Sequence, residues 1–214
     1  QGEAMVFRAC PDWTLEASYW QDGCRFVAGV DEAGRGAWAG PVLAGAVIFP
    51  AASVSSIPWW SQLRDSKQLT AIRREALRRC ILNAAVAVGV GCAGIHEIEA
   101  LGIAAASRLA MVRAVSALST TPDVVLTDYV RLRELVLPFQ AIVHGDALSV
   151  SIAAASIVAK TTRDAMLRRM DERFPEYGFA RHKGYGTSTH WTALRRFGPC
   201  PLHRCNFAPV ASLL

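Results

Sequence analysis

The sequence predicts an α/β fold, and three observations predict it. Short apolar runs bounded by turn residues recur at 26–32, 42–49, 85–92, 124–128 and 141–146, the pattern of strands covered on both faces. Longer segments with apolar residues at helical spacing alternate with them, at 70–84, 96–118 and 149–169. Hydrophobic residues make up 52% of the 214 and charged residues 19%, a composition that builds a core and excludes a disordered chain.

Taken in order, residues 1–25 are a lead-in, in which Thr14-Leu15-Glu16-Ala17 opens a short helix and Tyr19 or Trp20 packs on the body. The first strand covers 26–32. The second covers Val42 to Phe49 and is expected to be antiparallel to the first, because the connection is short. Residues 50–64 read as a loop whose Trp59-Trp60 pair covers the core. A helix capped by Thr70 follows, with Leu77, Cys80, Ile81 and Ala84 as its apolar stripe. A third strand runs from Ala85 to Cys92, and residues 96–118 form a short and a longer helix broken near Gly102. Val124–Asp128 and Ala141–Asp146 are apolar runs ending on an acid. A helix from Ser149 to Arg169 comes next, then a basic loop, Gly178 to Thr187. The last helix is capped by Thr187 or Ser188 and stops at Gly198-Pro199, and the tail is a loop with a basic patch, His203-Arg204.

The net charge of +5 is unevenly placed. From Lys160 onward there are ten Lys/Arg against four Asp/Glu, leaving 13 against 14 in the rest. A surface for a polyanion is expected there. The six scattered cysteines form no disulfide framework, so a reducing, cytoplasmic setting is expected. Cys200 and Cys205 are off-pattern for zinc. The first 25 residues lack the apolar segment of a signal peptide. The uncharged stretch 37–63 is interrupted by Pro41, Pro50 and Pro58, which argues against a membrane span.

Three apolar runs deliver acids: Asp31 with Glu32, Asp128, and Asp146. One such end is a turn preference. Three in one domain point to a shared hard cation, for which carboxylate oxygens suit Mg2+ or Mn2+. Two such ions would support in-line displacement at a phosphate. Adjacent residues in a regular strand face opposite ways, so Glu32 joins Asp31 only if the strand breaks or Glu32 reaches by its longer arm or its carbonyl. Gly34-Arg35-Gly36 lacks the spacing and the following helix of a dinucleotide fingerprint, and its amides could instead contact a sugar edge that carries a 2′-hydroxyl. Ser66 and Lys67 could hold a phosphate at a helix start. Tyr185 could stack on a sugar or base, with Lys183 and Thr187 on phosphate. Asp164 reads as a helix-face acid paired with Arg163 or Arg168.

Together, Val30-Asp-Glu-Ala-Gly-Arg-Gly36 with Ala39-Gly-Pro-Val42, Asp65-Ser-Lys-Gln-Leu69, Gly145-Asp146, Ala153–Lys160 with Thr162-Arg-Asp164, and His182-Lys-Gly-Tyr-Gly-Thr187 with His190 resemble the ribonuclease HII family. The resemblance implies a ribonuclease H-like fold, a mixed five-stranded sheet flanked by helices with a small C-terminal helical appendage. It implies a division into a lead-in at 1–25, a catalytic domain at 26–172 and a substrate-binding appendage at 173–214. It also implies metal-dependent hydrolysis of RNA in RNA–DNA hybrids, and incision 5′ to single ribonucleotides in duplex DNA, as in ribonucleotide repair, leaving 3′-hydroxyl and 5′-phosphate ends. Asp31, Glu32, Asp128 and Asp146 fall on the family's acids, Gly34, Arg35 and Gly36 on its ribonucleotide-sensing turn, Tyr185 on its junction-reading tyrosine and Lys67 on a phosphate contact. Ala37-Trp38 departs from the family pattern, as does Tyr129, where glycine is frequent. A monomer is expected, with the apolar end Val210–Leu214 as the place to test for a replication-clamp contact. The rival readings are another metal-dependent nuclease of resolvase or integrase type, and a hybrid-binding module without catalysis. The first would not need the sugar-sensing turn, and the second would not need the acids.

Overall fold

A computed structural model describes residues 10–52, 58–63 and 69–214. Ser66 and Lys67, expected to contact phosphate, lie outside the described residues. Five strands form one sheet: β1 Val27–Ala33, β2 Val42–Ile48, β3 Ala87–Ala93, β4 Val124–Asp128 and β5 Phe139–Ile142, in the order β3-β2-β1-β4-β5. β1 is antiparallel to β2, as the short connection predicts, and parallel to β4. β3 extends the antiparallel side and β5 the parallel side. The sheet is therefore mixed, and its direction changes at β1, a place where open α/β sheets commonly hold ligands.

Around it lie α1 Thr14–Gln21, α2 Ala71–Ala84, α3 Ile95–Leu101, α4 Ile103–Ser116, α5 Gly145–Leu148, α6 Val150–Asp171, α7 Phe179–His182, α8 Ser188–Phe197 and α9 Ala208–Ala211. Helix starts follow the chemistry of their caps. The Thr70 hydroxyl accepts from the Arg73 amide at 3.3 Å, Ser149 from Ile152 at 3.1 Å and Thr187 from His190 at 3.2 Å. Gly102, at φ +77°, separates α3 from α4, where the sequence places the break.

The alanine-rich α6 packs against β1 and β2 so closely that strand side chains must vanish beneath it. A Cβ at Gly29 would strike the Ser151 backbone, and one at Gly45 the Ala155 carbonyl. On the opposite face α4 buries Ala106, Ala110, Met111 and Ala114. The lead-in helix is pinned to α6: the buried Glu16 carboxylate accepts from the Ser149 hydroxyl at 2.6 Å and the Ser151 amide at 2.8 Å. Trp59 and Trp60 pack against the core cluster beneath α6. Leu167, Tyr177, Phe179, Leu194 and Val210 form a separate cluster at the C-terminal end. That cluster absorbs part of the apolar end, with Val210 buried and Leu213 packed on it. Among the described residues no helix is long and apolar enough to cross a membrane.

Four expectations need correction. Asp146 does not end a strand: β5 stops at Ile142, His144 takes a left-handed conformation at φ +56°, and Asp146 sits in the first turn of α5. The segment 178–187 is not all loop, since Phe179–His182 closes a helical turn. His203 and Arg204 are not a surface patch but are almost wholly buried. Asp164 pairs with Lys160 at 2.7 Å and Arg74 at 3.7 Å, not with Arg163 or Arg168. The i,i+4 spacing on α6 explains the Lys160 pairing, and Arg168 turns outward to Glu75.

Candidate active site

The register of the sheet brings the acids together. Val30 pairs with Thr127 across the parallel β1–β4 ladder, so the next residues, Asp31 and Asp128, stand side by side at the same end. Asp128 pairs with Ile142 on β5. The turn after β5 folds back, and the Gly145 amide donates to Asp128 Oδ1 at 2.8 Å, which brings Asp146 to the same place. A cavity of about 240 Å³ is lined by Asp31, Glu32, Asp128 and Asp146, by Gly34, Arg35 and Gly36, and by Ser156, Lys160 and Tyr185.

β1 does not break at Glu32, because its ladder with β2 continues to Ala33. Glu32 nevertheless lines the cavity, and its carboxylate lies 3.7 Å from the Arg35 guanidinium. Burial pushes the Asp31 carboxyl well above the usual carboxylate range. The Glu32 charge adds to that and the Ser156 hydrogen bond opposes it. Burial likewise raises Glu32, with Arg35 opposing. Among the described residues no three His, Cys, Asp or Glu side chains are close enough as they stand to ligate one ion. The fit to a metal therefore rests on chemistry: four carboxylates supply only oxygen donors, and two of them are disfavoured as anions until a cation neutralises them.

Two buried guanidiniums shape the turn. Arg204 Nε donates to the Gly40 carbonyl at 2.9 Å, Nη1 to Arg35 at 2.9 Å, and Nη2 to Gly34 at 2.8 Å and Gly40 at 2.7 Å. Arg163 donates to Pro41 and Ala39 at 2.9 Å and to Lys183 at 2.8 Å. Among the described residues neither has a carboxylate partner. Burial, then the Arg163 charge, pushes Arg204 down to about 9, so it stays charged at neutral pH. Gly34 sits at φ +94°, and a Cβ there would collide with the Arg163 side chain. The departure at Trp38 fits the same scheme. Its amide donates to the Gly184 carbonyl at 2.8 Å, its carbonyl accepts from the Arg204 backbone amide at 2.8 Å, and its ring meets Trp191 edge-on.

Tyr185 lines the cavity with Lys160 Nζ and Arg163 Cζ 5.2 and 5.3 Å from its ring centroid. Lys183 and Thr187 do not line this cavity. The Lys183 ammonium bonds the Ala180 carbonyl, and the Thr187 hydroxyl caps α8. Ser156, Lys160, Arg163 and Arg204 are not among the site residues expected from the sequence. The four- and three-residue steps of Ser156, Lys160 and Arg163 on one helix were the available signal.

Three histidines support the Tyr185 segment from below. The Cys200 amide donates to His203 Nδ1 at 2.9 Å, the Nε2 atoms of His203 and His190 lie 3.0 Å apart, and His190 Nδ1 lies 3.0 Å from the Tyr185 carbonyl. That chain closes with both rings neutral. His182 stacks on His190 at 4.3 Å. Burial pushes His190 and His203 down to about 4. Their unfolded pKa of about 6.5 lies higher, so their contribution is present above it and lost as pH falls from there through about 4. The raised carboxyls act in the opposite sense. The test is therefore a difference: the melting temperature of the wild type is expected to fall by about 5–10 °C more than that of His190→Gln between neutral pH and pH near 5. Parallel pH profiles would deny the neutral relay.

The family model for ribonuclease HII matches residues 28–210. The ribonuclease HII of Dehalococcoides mccartyi is 46% identical over 209 residues, 98% of each chain. That of Chloroflexus aurantiacus is 48% identical over 204 residues, 95% of this chain and 96% of the relative. Among solved structures, ribonuclease H2 from Pyrococcus horikoshii OT3 superposes with a TM-score of 0.74 at 24% identity, covering 88% of this chain and 96% of that one. Bst-RNase HIII in complex with Mn2+ superposes with a TM-score of 0.66 at 16% identity, covering 88% and 68%. These two likenesses bear on the fold. The match of the family model over most of the chain and the near-full-length identity to its relatives carry the assignment: the chain belongs to the ribonuclease HII family and is a ribonuclease H, an endonuclease acting on RNA–DNA hybrids.

Proposed function

We propose that the protein cuts the RNA strand of RNA–DNA hybrids and also incises duplex DNA on the 5′ side of a single ribonucleotide, leaving 3′-hydroxyl and 5′-phosphate ends. The observation that carries this reading is one cavity lined by four acids, the Gly34–Gly36 turn and Tyr185. Asp31, Glu32, Asp128 and Asp146 would hold two divalent ions, Mg2+ or Mn2+, and binding would have to draw the carboxylates together. Bound there, the ions would supply an activated water and neutralise charge on the departing 3′ oxygen. The chain's own residues do the rest. Arg204 and Arg163 bind the carbonyls of the 34–41 turn, so that the turn would meet a ribose without reorganising. Ser156 orients Asp31, and Lys160 adds positive charge at the wall where a phosphate would lie. The Tyr185 ring, approached by the Lys160 and Arg163 cations, would offer a face to the sugar next to the cut.

The test is a DNA duplex carrying one ribonucleotide, incubated with protein and Mg2+ or Mn2+ and resolved on a sequencing gel. One cut, 5′ to the ribonucleotide, is expected. An intact duplex, with long hybrids still cut, would reject single-ribonucleotide incision. Tyr185→Ala is expected to lose about ten- to hundredfold on the single-ribonucleotide duplex, the worth of one stacked ring, and less on a long hybrid, where neighbouring riboses offer alternative registers. Equal losses would remove Tyr185 as a junction reader.

A further inference from the structure

We propose that a groove of about 600 Å³ beside the acidic cavity is a second contact for the substrate, taking the sugar–phosphate backbone of the strand that runs away from the cut. The proposal rests on reading the acidic cavity as the cutting site. The groove lies between the first turns of α4 and the segment after β4, and is lined by Arg35, Ser107, Arg108, Tyr129, Arg131 and Arg133, with Glu134 at its edge. It adjoins the acids directly: Arg35 lines both spaces, and Tyr129 follows Asp128 in the chain.

Its positive charge exceeds what the neighbouring carboxylates neutralise. Four arginines meet one carboxylate in the lining. Arg108 pairs with Glu134 at 2.7 Å, and Arg35 reaches Glu32 at 3.7 Å. Arg131 and Arg133 are exposed and have no ion pair among the described residues. A cavity walled with carboxylates repels a polyanion, so a strand that enters it gains from cations immediately alongside.

Two further residues of the lining point to a ligand. Ser107 is 1% exposed, and its hydroxyl has no hydrogen-bond partner among the described residues. Leaving a buried donor unpaired is unfavourable, and a phosphate oxygen in the groove is the acceptor it lacks. Tyr129 holds φ +59° and is 71% exposed. Backbone bonds hold this left-handed turn, the Tyr129 amide donating to Ile142 at 2.8 Å and the Val130 amide to Asp128 at 2.6 Å, and the ring is left turned to solvent with little packing within the chain. An aromatic ring presented to a groove of arginines suits a sugar or base edge on a strand whose phosphates the arginines hold.

Binding is measured by fluorescence anisotropy with a labelled RNA–DNA hybrid in chelator, so that no cutting occurs, over a series of salt concentrations. For Arg131→Ala/Arg133→Ala, two exposed positions whose loss leaves folding untouched, the slope of log K against log salt is expected to shrink by about 2, close to 0.9 per phosphate released. Ser107→Ala and Tyr129→Gly are expected to weaken binding about three- to tenfold while melting at or above the wild-type temperature. A merely structural role would lower the melting temperature and leave binding unchanged. An unaltered slope in the double arginine variant, with Ser107→Ala and Tyr129→Gly binding like wild type, makes the groove a solvated cationic surface and overturns the proposal. Because this assay contains no divalent ion, its outcome is separate from that of the cleavage assay. A protein that binds through the groove but does not cut would keep the groove as a nucleic-acid contact and remove the reading of the cavity on which its place beside the cut depends.

Discussion

Asp31→Asn is expected to abolish cleavage while making the protein melt higher in chelator at neutral pH. The two effects have one cause. Asp31 is buried, and its carboxyl sits well above the usual range because burial and the Glu32 charge disfavour the anion. A group raised in this way stabilises the fold while it is protonated, and that contribution disappears as pH rises through its folded pKa. At neutral pH without a cation the wild type therefore carries a cost that asparagine, neutral and of the same shape, does not. The gain is on the order of 1–2 kcal/mol, or about 2–8 °C for a chain of this size. The loss of activity is expected to be about a thousandfold or more, since removing one anionic oxygen donor from the proposed cation site would cost several kcal/mol of transition-state stabilisation. Saturating Mg2+ or Mn2+ should raise the wild-type melting temperature and leave Asp31→Asn little changed. A variant that cuts near the wild-type rate would remove Asp31 from the chemistry. One that melts lower in chelator would show that no buried charge was relieved.

Arg204→Lys is expected to be the most damaging change away from the acids. The Arg204 guanidinium serves the carbonyls of Gly34, Arg35 and Gly40 at once. A lysine keeps the charge but presents a single ammonium, which cannot match the planar fork. At least one buried carbonyl then loses its donor, and Trp38, whose carbonyl accepts from the Arg204 amide, is anchored to a looser segment. A loss of about 3 kcal/mol, or ~6–12 °C, is expected, with single-ribonucleotide cutting falling further than hybrid cutting because the turn that would sense the ribose is what slackens. A melting temperature within a degree or so of wild type would mean that water replaces the fork and that the turn is held by other contacts.

What could be read beforehand divides along physical lines. β1, β2 and β4 were legible because an apolar run ending in a turn or an acid is a local signal, and the Thr70, Ser149 and Thr187 caps were legible because a hydroxyl before a helix acts on an amide three residues later. Asp146 was recognised as a candidate but placed wrongly. The turn of the chain at His144 depends on Gly145 donating to Asp128, a contact across 17 positions. Arg204 read as a solvated charge in a basic tail because nothing local says otherwise. Its partners at Gly34 and Arg35 are 170 and 169 residues away. The three histidines likewise acquire their shared burial only when the segments carrying His182, α8 with His190, and the 200–204 turn close on Phe179.

The sequence by itself determined the α/β class and singled out the four acids, the Gly34-Arg35-Gly36 turn and Tyr185 as candidates, because strand patterning and the residue types that metal and phosphate chemistry demand are written locally. Only the tertiary structure decided that these share one cavity, that Glu32 reaches it without a break in β1, and that two carboxylate-free guanidiniums brace the turn. It also decided that an arginine groove continues from the acids past Tyr129. Register, burial and the desolvation that shifts Asp31 arise from residues far apart in the chain, so they exist only once the sheet is assembled.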